Sequence, residues 1–343
     1  VDFFAAKFVS STMNHPITGL HHVTAIARDP QANVDFYTGV LGLRLVKKTV
    51  NFDDPGTYHL YYGDEVGRPG TLLTFFPWPL ARLGKRGAGQ ATVTAFSVPE
   101  GSLGYWMERL ASSGVDFDPP HPRFDEEVLT LRDPDGLLLE LVARAGDLRA
   151  PWTDGPIPES AAVRGFYNVT LTEWNPAVTS ELLTGALGFR LAGEEGDRLR
   201  FVAGEIGGGG AGSRLDVLAA PSAARGVISA GTVHHVAFRA ADDAEQLAWE
   251  RTLAERGLHV TPVQERQYFR SIYFREPGGV LFEIATDGPG FAVDEPVASL
   301  GSDLQLPPWL EASRERIAKV LPPITVRPAA VAAVAAVPAG GAA

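Results

Sequence analysis

Short apolar strands, each bounded by Gly, Pro or Asp turns, recur along the whole chain. The first is Gly19-Leu20-His21-His22-Val23-Thr24-Ala25-Ile26. A helical segment from Asp29 to Thr38 follows, with Val34 and Phe36-Tyr37 inside it. Leu41 to Leu45 resumes a strand, and two more are expected around Thr57 to Tyr62 and Gly70 to Phe76, set apart by Gly63-Asp64 and Gly67 to Gly70. This is one βαβββ unit. A second starts at residues 91–98, with a helix through Tyr105, Trp106 and Leu110 to Ser113. Its last hairpin turns at Asp133-Pro134-Asp135-Gly136 into Leu137 to Leu141.

The pattern then restarts. Thr38 to Leu45 reappears as Thr184 to Leu191, an offset of 146; Ala95-Phe96 reappears as Ala237-Phe238, an offset of 142. The segment 133–140 reappears at 276–283, an offset of 143. Such consistent offsets indicate four βαβββ modules in two tandem domains, an α+β fold with a cupped mixed sheet. The expected layout has an N-terminal extension at 1–14 and modules one and two at 15–145. A Pro/Gly/Asp-rich linker at 146–162 leads to modules three and four at 163–287. A C-terminal segment at 288–327 carries an amphipathic helix from Leu310 to about Val320, with Leu310, Ile317 and Val320 on its apolar side. An Ala/Pro/Gly/Val tail at 328–343 has no periodicity to bury and is expected to be disordered.

Composition narrows the chemistry. The net charge of −11 argues against nucleic acid and anionic membranes, and no apolar run approaches a membrane span. There is no cysteine, which removes disulfides, thiolate nucleophiles and iron–sulfur clusters. Any metal must be held by His, Asp or Glu, which points to iron, manganese, zinc or nickel. Residues 1–12 do not read as a secretory signal, and Met13 is an alternative start, so the cytoplasm is the expected location.

Two of the eight histidines sit in the first strand and two in its echo, Gly231-Thr232-Val233-His234-His235-Val236-Ala237-Phe238. Comparing modules separates what the fold needs from what it does not. The place of His22 is taken by Asn168 in module three, and that of His235 by Val93 in module two. The carboxylate is present twice, as Glu140 and Glu283. Only modules one and four together supply His, His and Glu. Neighbouring side chains on a regular strand point to opposite faces, so one histidine of each pair is the ligand. His22, with Thr24 on its face, and His235, with the small Ala237 on its face, are the candidates, and Glu283 is the third. Two imidazoles and a carboxylate form the facial triad that holds Fe(II) with open positions; Mn(II) is the alternative ion.

Tyr273 lies ten residues before Glu283 across the Glu276 to Gly279 turn, so it falls opposite Glu283 or one residue away. Arg266, upstream, offers a fixed positive charge. A lone strand histidine is more often packing than ligand, so His59, beside Tyr58 and Tyr61, reads as structural. Glu140 reads as a remnant of the repeat, and His15, His121 and His259 receive no role. Phe76, Trp78 and Tyr268 are the candidate lining of a substrate pocket.

With these residues in place, the chain resembles the vicinal oxygen chelate superfamily, and within it the hydroquinone-type ring-cleaving dioxygenases. The resemblance runs from about Ile17 to Pro323. It is carried by the two His-His strands, by Arg44 to Pro55, by Thr74 to Pro79 and by Leu306 to Glu311. It implies Fe(II) on His22, His235 and Glu283, with His21, Thr24, His234, Arg266 and Tyr273 as functional residues around it. It also implies a small aromatic diol and O2 as partners, with His21 or His234 as the base for a phenolic proton and Tyr273 and Arg266 stabilising anionic oxygens. Superfamily members often associate, which leaves a homo-oligomer open. Two rivals share the fold: a glyoxalase-like isomerase, whose fourth ligand Val93 does not provide, and a bleomycin-resistance-like binding protein, which needs no triad.

Overall fold

Asp29 and Asn175 each stand before a proline, one repeat offset apart, and each opens a helix. Asp29 accepts from the amides of Gln31 and Ala32, and Asn175 from that of Ala177. The following Pro30 and Pro176 sit at the helix start, where a missing N–H costs no hydrogen bond. The Leu-Gly turns that close these helices are equally constrained. Gly42 and Gly188 have φ of +69° and +75°, and a Cβ there would lie 2.2 Å from Ile157 and 2.6 Å from Pro16. Only glycine fits, which explains why this part of the repeat is the most legible.

The computed structural model describes residues 16–204 and 212–326. Module one contains β1 (Leu20–Ala27), α1 (Pro30–Val34, continued by a π-turn at Asp35–Val40), β2 (Arg44–Asn51), β3 (Asp54–Gly63) and β4 (Leu72–Pro77). Module two contains β5 (Gln90–Pro99), α2 (Leu103–Ser112), β6 (His121–Arg123), β7 (Glu126–Arg132) and β8 (Leu138–Arg144). Module three contains β9 (Gly165–Glu173), α3 (Pro176–Gly185), β10 (Arg190–Glu195), β11 (Arg198–Val202) and β12 (Arg214–Ala219). Module four contains β13 (Thr232–Ala240), α4 (Asp243–Glu255), β14 (Gln264–Glu265), β15 (Arg270–Arg275) and β16 (Leu281–Thr286); a last helix, α5, spans Arg314–Val320.

These strands make two curled, mixed eight-stranded sheets in an α+β fold of tandem modules. The order in one is β14-β15-β16-β13-β1-β4-β3-β2, and in the other β10-β11-β12-β9-β5-β8-β7-β6. Each sheet therefore takes one module from each half of the chain. The outer modules meet where β1 runs antiparallel to β13, and the inner ones where β5 runs antiparallel to β9. The helices cover the outer faces. α2 buries Leu103, Trp106 and Leu110, and the Trp106 indole donates to the Ala161 carbonyl at 3.0 Å. Each large apolar side chain buried in this way contributes roughly 1.5–3 kcal/mol.

Both seams carry bulges at matching places. The β1–β13 register skips His21 on one strand and His234 on the other. The β5–β9 register skips Thr92 and Tyr167, the corresponding positions of the inner sheet. The bulge belongs to the fold, and the histidines belong to one sheet only.

Two expectations change. The segment 146–162 is closely packed: Ile157, Ala161 and Ala162 are buried, and Arg149 donates to the carbonyls of Gly70 and Phe166. At the C-terminus, Ile317 is buried as expected, but Val320 is 61% exposed and the buried contact passes to Leu321 as the helix ends. The expected extension at 1–14, His15 and the tail at 328–343 lie outside the described residues.

Candidate metal centre

His22 and His235 are diagonal neighbours across the outer seam, because Thr24 lies opposite His235 and Ala237 opposite His22. β16 runs parallel to β13 and sets Glu283 beside Ala237. The three side chains converge: His22 Nε2 lies 3.3 Å and His235 Nε2 3.0 Å from Glu283 Oε2, and the two nitrogens are 3.3 Å apart. All three residues are buried. Ser271 donates to Glu283 Oε1, whereas Oε2 has no hydrogen-bond donor. Burial raises the Glu283 carboxyl, and it is positive charge beside it, on the flanking imidazoles when they are protonated, that holds it well below the usual carboxylate range.

The first histidine of each pair controls the second. His21 Nε2 lies 3.1 Å from the Thr286 carbonyl, which can only accept, so this nitrogen carries the proton. His21 Nδ1 is then an acceptor, and His22 Nδ1–H donates to it at 2.9 Å. That leaves His22 Nε2 as a bare lone pair aimed at Glu283. His235 Nδ1 makes the same kind of contact with His234 Nδ1 at 2.8 Å. Lone pairs of an imidazole and a carboxylate converging in a buried site, without a donor for Glu283 Oε2, leave room for a cation. Separations of about 3 Å match adjacent ligands held on one ion at about 2.1 Å. The residues present fit a divalent transition metal.

Because of the bulges, the histidines of a pair do not occupy opposite faces as in a regular strand; their rings meet edge to edge, at 5.1 Å for His21–His22 and 5.0 Å for His234–His235. His21 is buried behind His22, whereas His234 lines the cavity in front of the triad. Burial, then the charge of His235, lowers the His234 pKa to about 3, so it is neutral at ordinary pH.

That cavity has a volume of about 450 Å³ and largely aromatic walls, including Phe52, Tyr61, Phe76, Trp78, Phe269 and Tyr273. Tyr273 lies directly opposite Glu283 in the β15–β16 ladder. Arg266 Nε donates to its hydroxyl at 3.3 Å, and Arg266 Nη1 donates to Asp53 Oδ2 at 3.0 Å. Burial, foremost, holds Tyr273 protonated well beyond the usual range. Thr24 is fully buried and bonded to Thr74 at 2.8 Å. Phe76 and Trp78 are in the wall; Tyr268 is not. It lies behind, with its hydroxyl donating to Asp294 at 2.9 Å, because Lys47, Asp294 and Glu295 form a buried ion cluster there. His59, read from sequence as structural, does line the cavity.

The inner sheet shows what the same frame does without a triad. Glu140 is paired with Arg123 at 2.7 Å, and Arg123 stands at the place of Arg266 one repeat earlier. Val93 lies in this sheet, so it has no bearing on a fourth ligand for the outer triad.

The Glyoxalase/Bleomycin resistance protein/Dioxygenase superfamily model matches residues 19–141 and 175–284. The chain is 49% identical over 310 residues to a Bacillus subtilis protein that carries the provisional name ring-cleaving dioxygenase MhqO, covering 90% of this chain and 97% of that one. It is 36% identical over 314 residues to the chlorohydroquinone/hydroquinone 1,2-dioxygenase of Sphingobium indicum, covering 89% of this chain and 96% of that one. A crystal structure of a provisionally named Bacillus subtilis dioxygenase superposes with a TM-score of 0.86 at 48% identity, covering 91% of this chain and 99% of that one. No helix among the described residues is long and apolar enough to cross a membrane. The protein belongs to the Glyoxalase/Bleomycin resistance protein/Dioxygenase superfamily.

Proposed function

We propose that the protein is an Fe(II)-dependent ring-cleaving dioxygenase acting on a hydroquinone- or catechol-like diol. The observation that carries this reading is the convergence of His22, His235 and an undonated Glu283 oxygen at the floor of an aromatic cavity. The names of the relatives support the same reaction class. Bound Fe(II) would supply Lewis acidity toward a phenolic oxygen and one-electron chemistry with O2.

The chain's own residues have separable tasks. Thr286 and His21 fix the tautomer that turns the His22 lone pair inward. If His235 ligates through Nε2, its Nδ1–H donates to His234, and His234 then carries its own proton on Nε2. It offers a substrate oxygen a hydrogen bond and is not a base in this state. His21, with both ring nitrogens engaged behind the site, cannot reach a substrate proton. Arg266 and the protonated Tyr273 place a positive charge and a hydroxyl beside Glu283, suited to negative charge developing on oxygen. The aromatic walls hold a flat ring and exclude water.

The test is metal analysis joined to oxygen uptake. Protein loaded anaerobically with Fe(II) is expected to consume O2 with hydroquinone or catechol, and His22→Ala, His235→Ala and Glu283→Ala to lose both the metal and the uptake. Stoichiometric diol binding without oxygen uptake would favour a binding protein instead.

A further inference from the structure

Beyond the triad, the concave face of the outer sheet carries a continuous chain of neutral hydrogen-bonding groups. Thr24 Oγ1 lies 2.8 Å from Thr74 Oγ1, and Thr74 Oγ1 lies 2.9 Å from His59 Nε2. His59 Nδ1 lies 2.8 Å from the Tyr61 hydroxyl. The chain starts opposite His235, at Thr24, and crosses β4 to reach β3. His59 and Tyr61 line the cavity. Tyr61 is 1% exposed, and its ring packs 4.0 Å from that of His59.

The fold does not require this network. In the inner sheet the register is the same: Asp216 lies opposite Thr170 as Thr74 lies opposite Thr24, and Arg200 lies opposite Asp216 as Tyr61 lies opposite Thr74. Arg198 then falls at the place of His59. There the frame is filled by ion pairs, with Arg200 bound to both Asp216 oxygens at 2.8 and 2.9 Å and Arg198 at 3.0 Å. A sheet that needs only stability carries charges at these positions, and the sheet with the triad carries an imidazole between two hydroxyls and a phenol.

Hydrogen-bond capacity assigns the roles. Both ring nitrogens of His59 are committed, so it has none left for a ligand. The Tyr61 hydroxyl is committed once and retains a further donor or acceptor function for the cavity. A neutral imidazole has one N–H, so the chain runs in one of two directions. In one, Tyr61 donates to His59 and can accept from a ligand hydroxyl; in the other, it accepts from His59 and can donate. Burial, foremost, keeps His59 unprotonated and Tyr61 protonated, so both directions stay available.

Position gives the ligand. β4 stands between β1 and β3, so Tyr61 lines the cavity from a strand that does not carry the triad. A ligand that touches the triad and Tyr61 at once needs an oxygen at each end of its ring. Adjacent oxygens would both turn toward the triad. We propose that Tyr61 binds the hydroxyl of a para-diol farthest from His22, His235 and Glu283, and that His59, braced by Thr74 and Thr24, is the positioning residue that orients it. The inference rests on the reading of the cavity as a diol site and adds the residues that select a para-diol.

The experiment compares anaerobic binding of hydroquinone and of 4-methylphenol to Fe(II)-loaded protein by calorimetry. The methylphenol keeps one phenol for the triad and can neither donate nor accept at the other end. The wild type is expected to prefer hydroquinone by roughly five- to tenfold, the worth of one neutral hydrogen bond. Tyr61→Phe is expected to abolish the preference by weakening hydroquinone alone. His59→Leu should do the same, and His59→Asn, whose amide can still reach Tyr61, should restore part of it. Equal loss for both ligands, or an unchanged preference in Tyr61→Phe, would overturn the proposal, as would equal binding by the wild type. Melting curves show whether each variant is folded. Preference without oxygen uptake would sink the dioxygenase reading and leave this one standing; uptake with the preference intact in Tyr61→Phe would do the reverse.

Discussion

Glu173 gives a prediction whose size follows from the structure. It is fully buried at the end of β9, and neither carboxylate oxygen has a hydrogen-bond partner. A Cβ on Gly278 would lie 2.1 Å from Glu173 Oε2 and 2.7 Å from Glu276 Oε1, so two carboxyl groups share one small volume. Glu276 already accepts from Thr179 Oγ1 and from the amides of Gly278 and Val280. Burial, and then the neighbouring Glu276, raises the Glu173 carboxyl from 4.5 to about 8. A group held above its unfolded value binds protons more tightly in the folded state. Its contribution is full below about pH 4.5 and is lost as pH rises through about 8. Each tenfold in proton affinity is worth about 1.4 kcal/mol, so the loss is of order 5 kcal/mol. Glu173→Gln keeps the shape, removes the ionisation and can donate to Glu276. Thermal melting should show the variant close to wild type at pH 5 and more stable above pH 8, by roughly 5–10 °C for a protein of this size. A difference that is the same at both pH values would refute the assignment of a buried, protonated Glu173.

Three further outcomes test the site and its frame. His21→Phe removes the acceptor for His22 Nδ1–H and should lower metal affinity about 10- to 100-fold in a chelator competition, with the cavity lining unchanged. An unchanged affinity would mean that His21 does not set the tautomer. Arg123→Met leaves Glu140 buried without its partner and should destabilise by about 3–5 kcal/mol in urea unfolding. Glu140→Ala should leave the metal content of the native protein intact, and loss of metal in that variant would show that the ligand set spans both sheets.

What could be read from the sequence was what local geometry controls. Strand period, turn residues and Gly42 or Gly188 impose themselves within a few positions, so the βαβββ modules and their repeat were visible. The same repeat singled out His22, His235 and Glu283, because Asn168, Val93 and Glu140 occupy the matching places. Tyr273 was placed against Glu283 by counting across one hairpin, and the β15–β16 register puts it there. Contacts set by distant pairings were not visible. The bulges at His21 and His234 arise from pairing two strands more than 200 residues apart, so strand alternation alone could not say whether the first histidine of each pair lies beside its ligand neighbour or on the opposite face. His59 looked structural because its partners, Thr74 and Tyr61, meet it only through the β3–β4 ladder and its own strand face. Tyr268 looked like pocket lining, but the buried Lys47 cluster draws its hydroxyl away. Ser271, which donates to Glu283, carried no signal of its own beyond sharing a face with Tyr273.

We propose that His22, His235 and Glu283 hold an iron that joins O2 to an aromatic diol. The most direct measurement is mass analysis of the product formed by Fe(II)-loaded protein from hydroquinone under isotopically labelled O2. The expected product is a ring-opened acid carrying both atoms of one O2 molecule, after correction for exchange with water. A benzoquinone with no added oxygen, or unchanged diol, would contradict it.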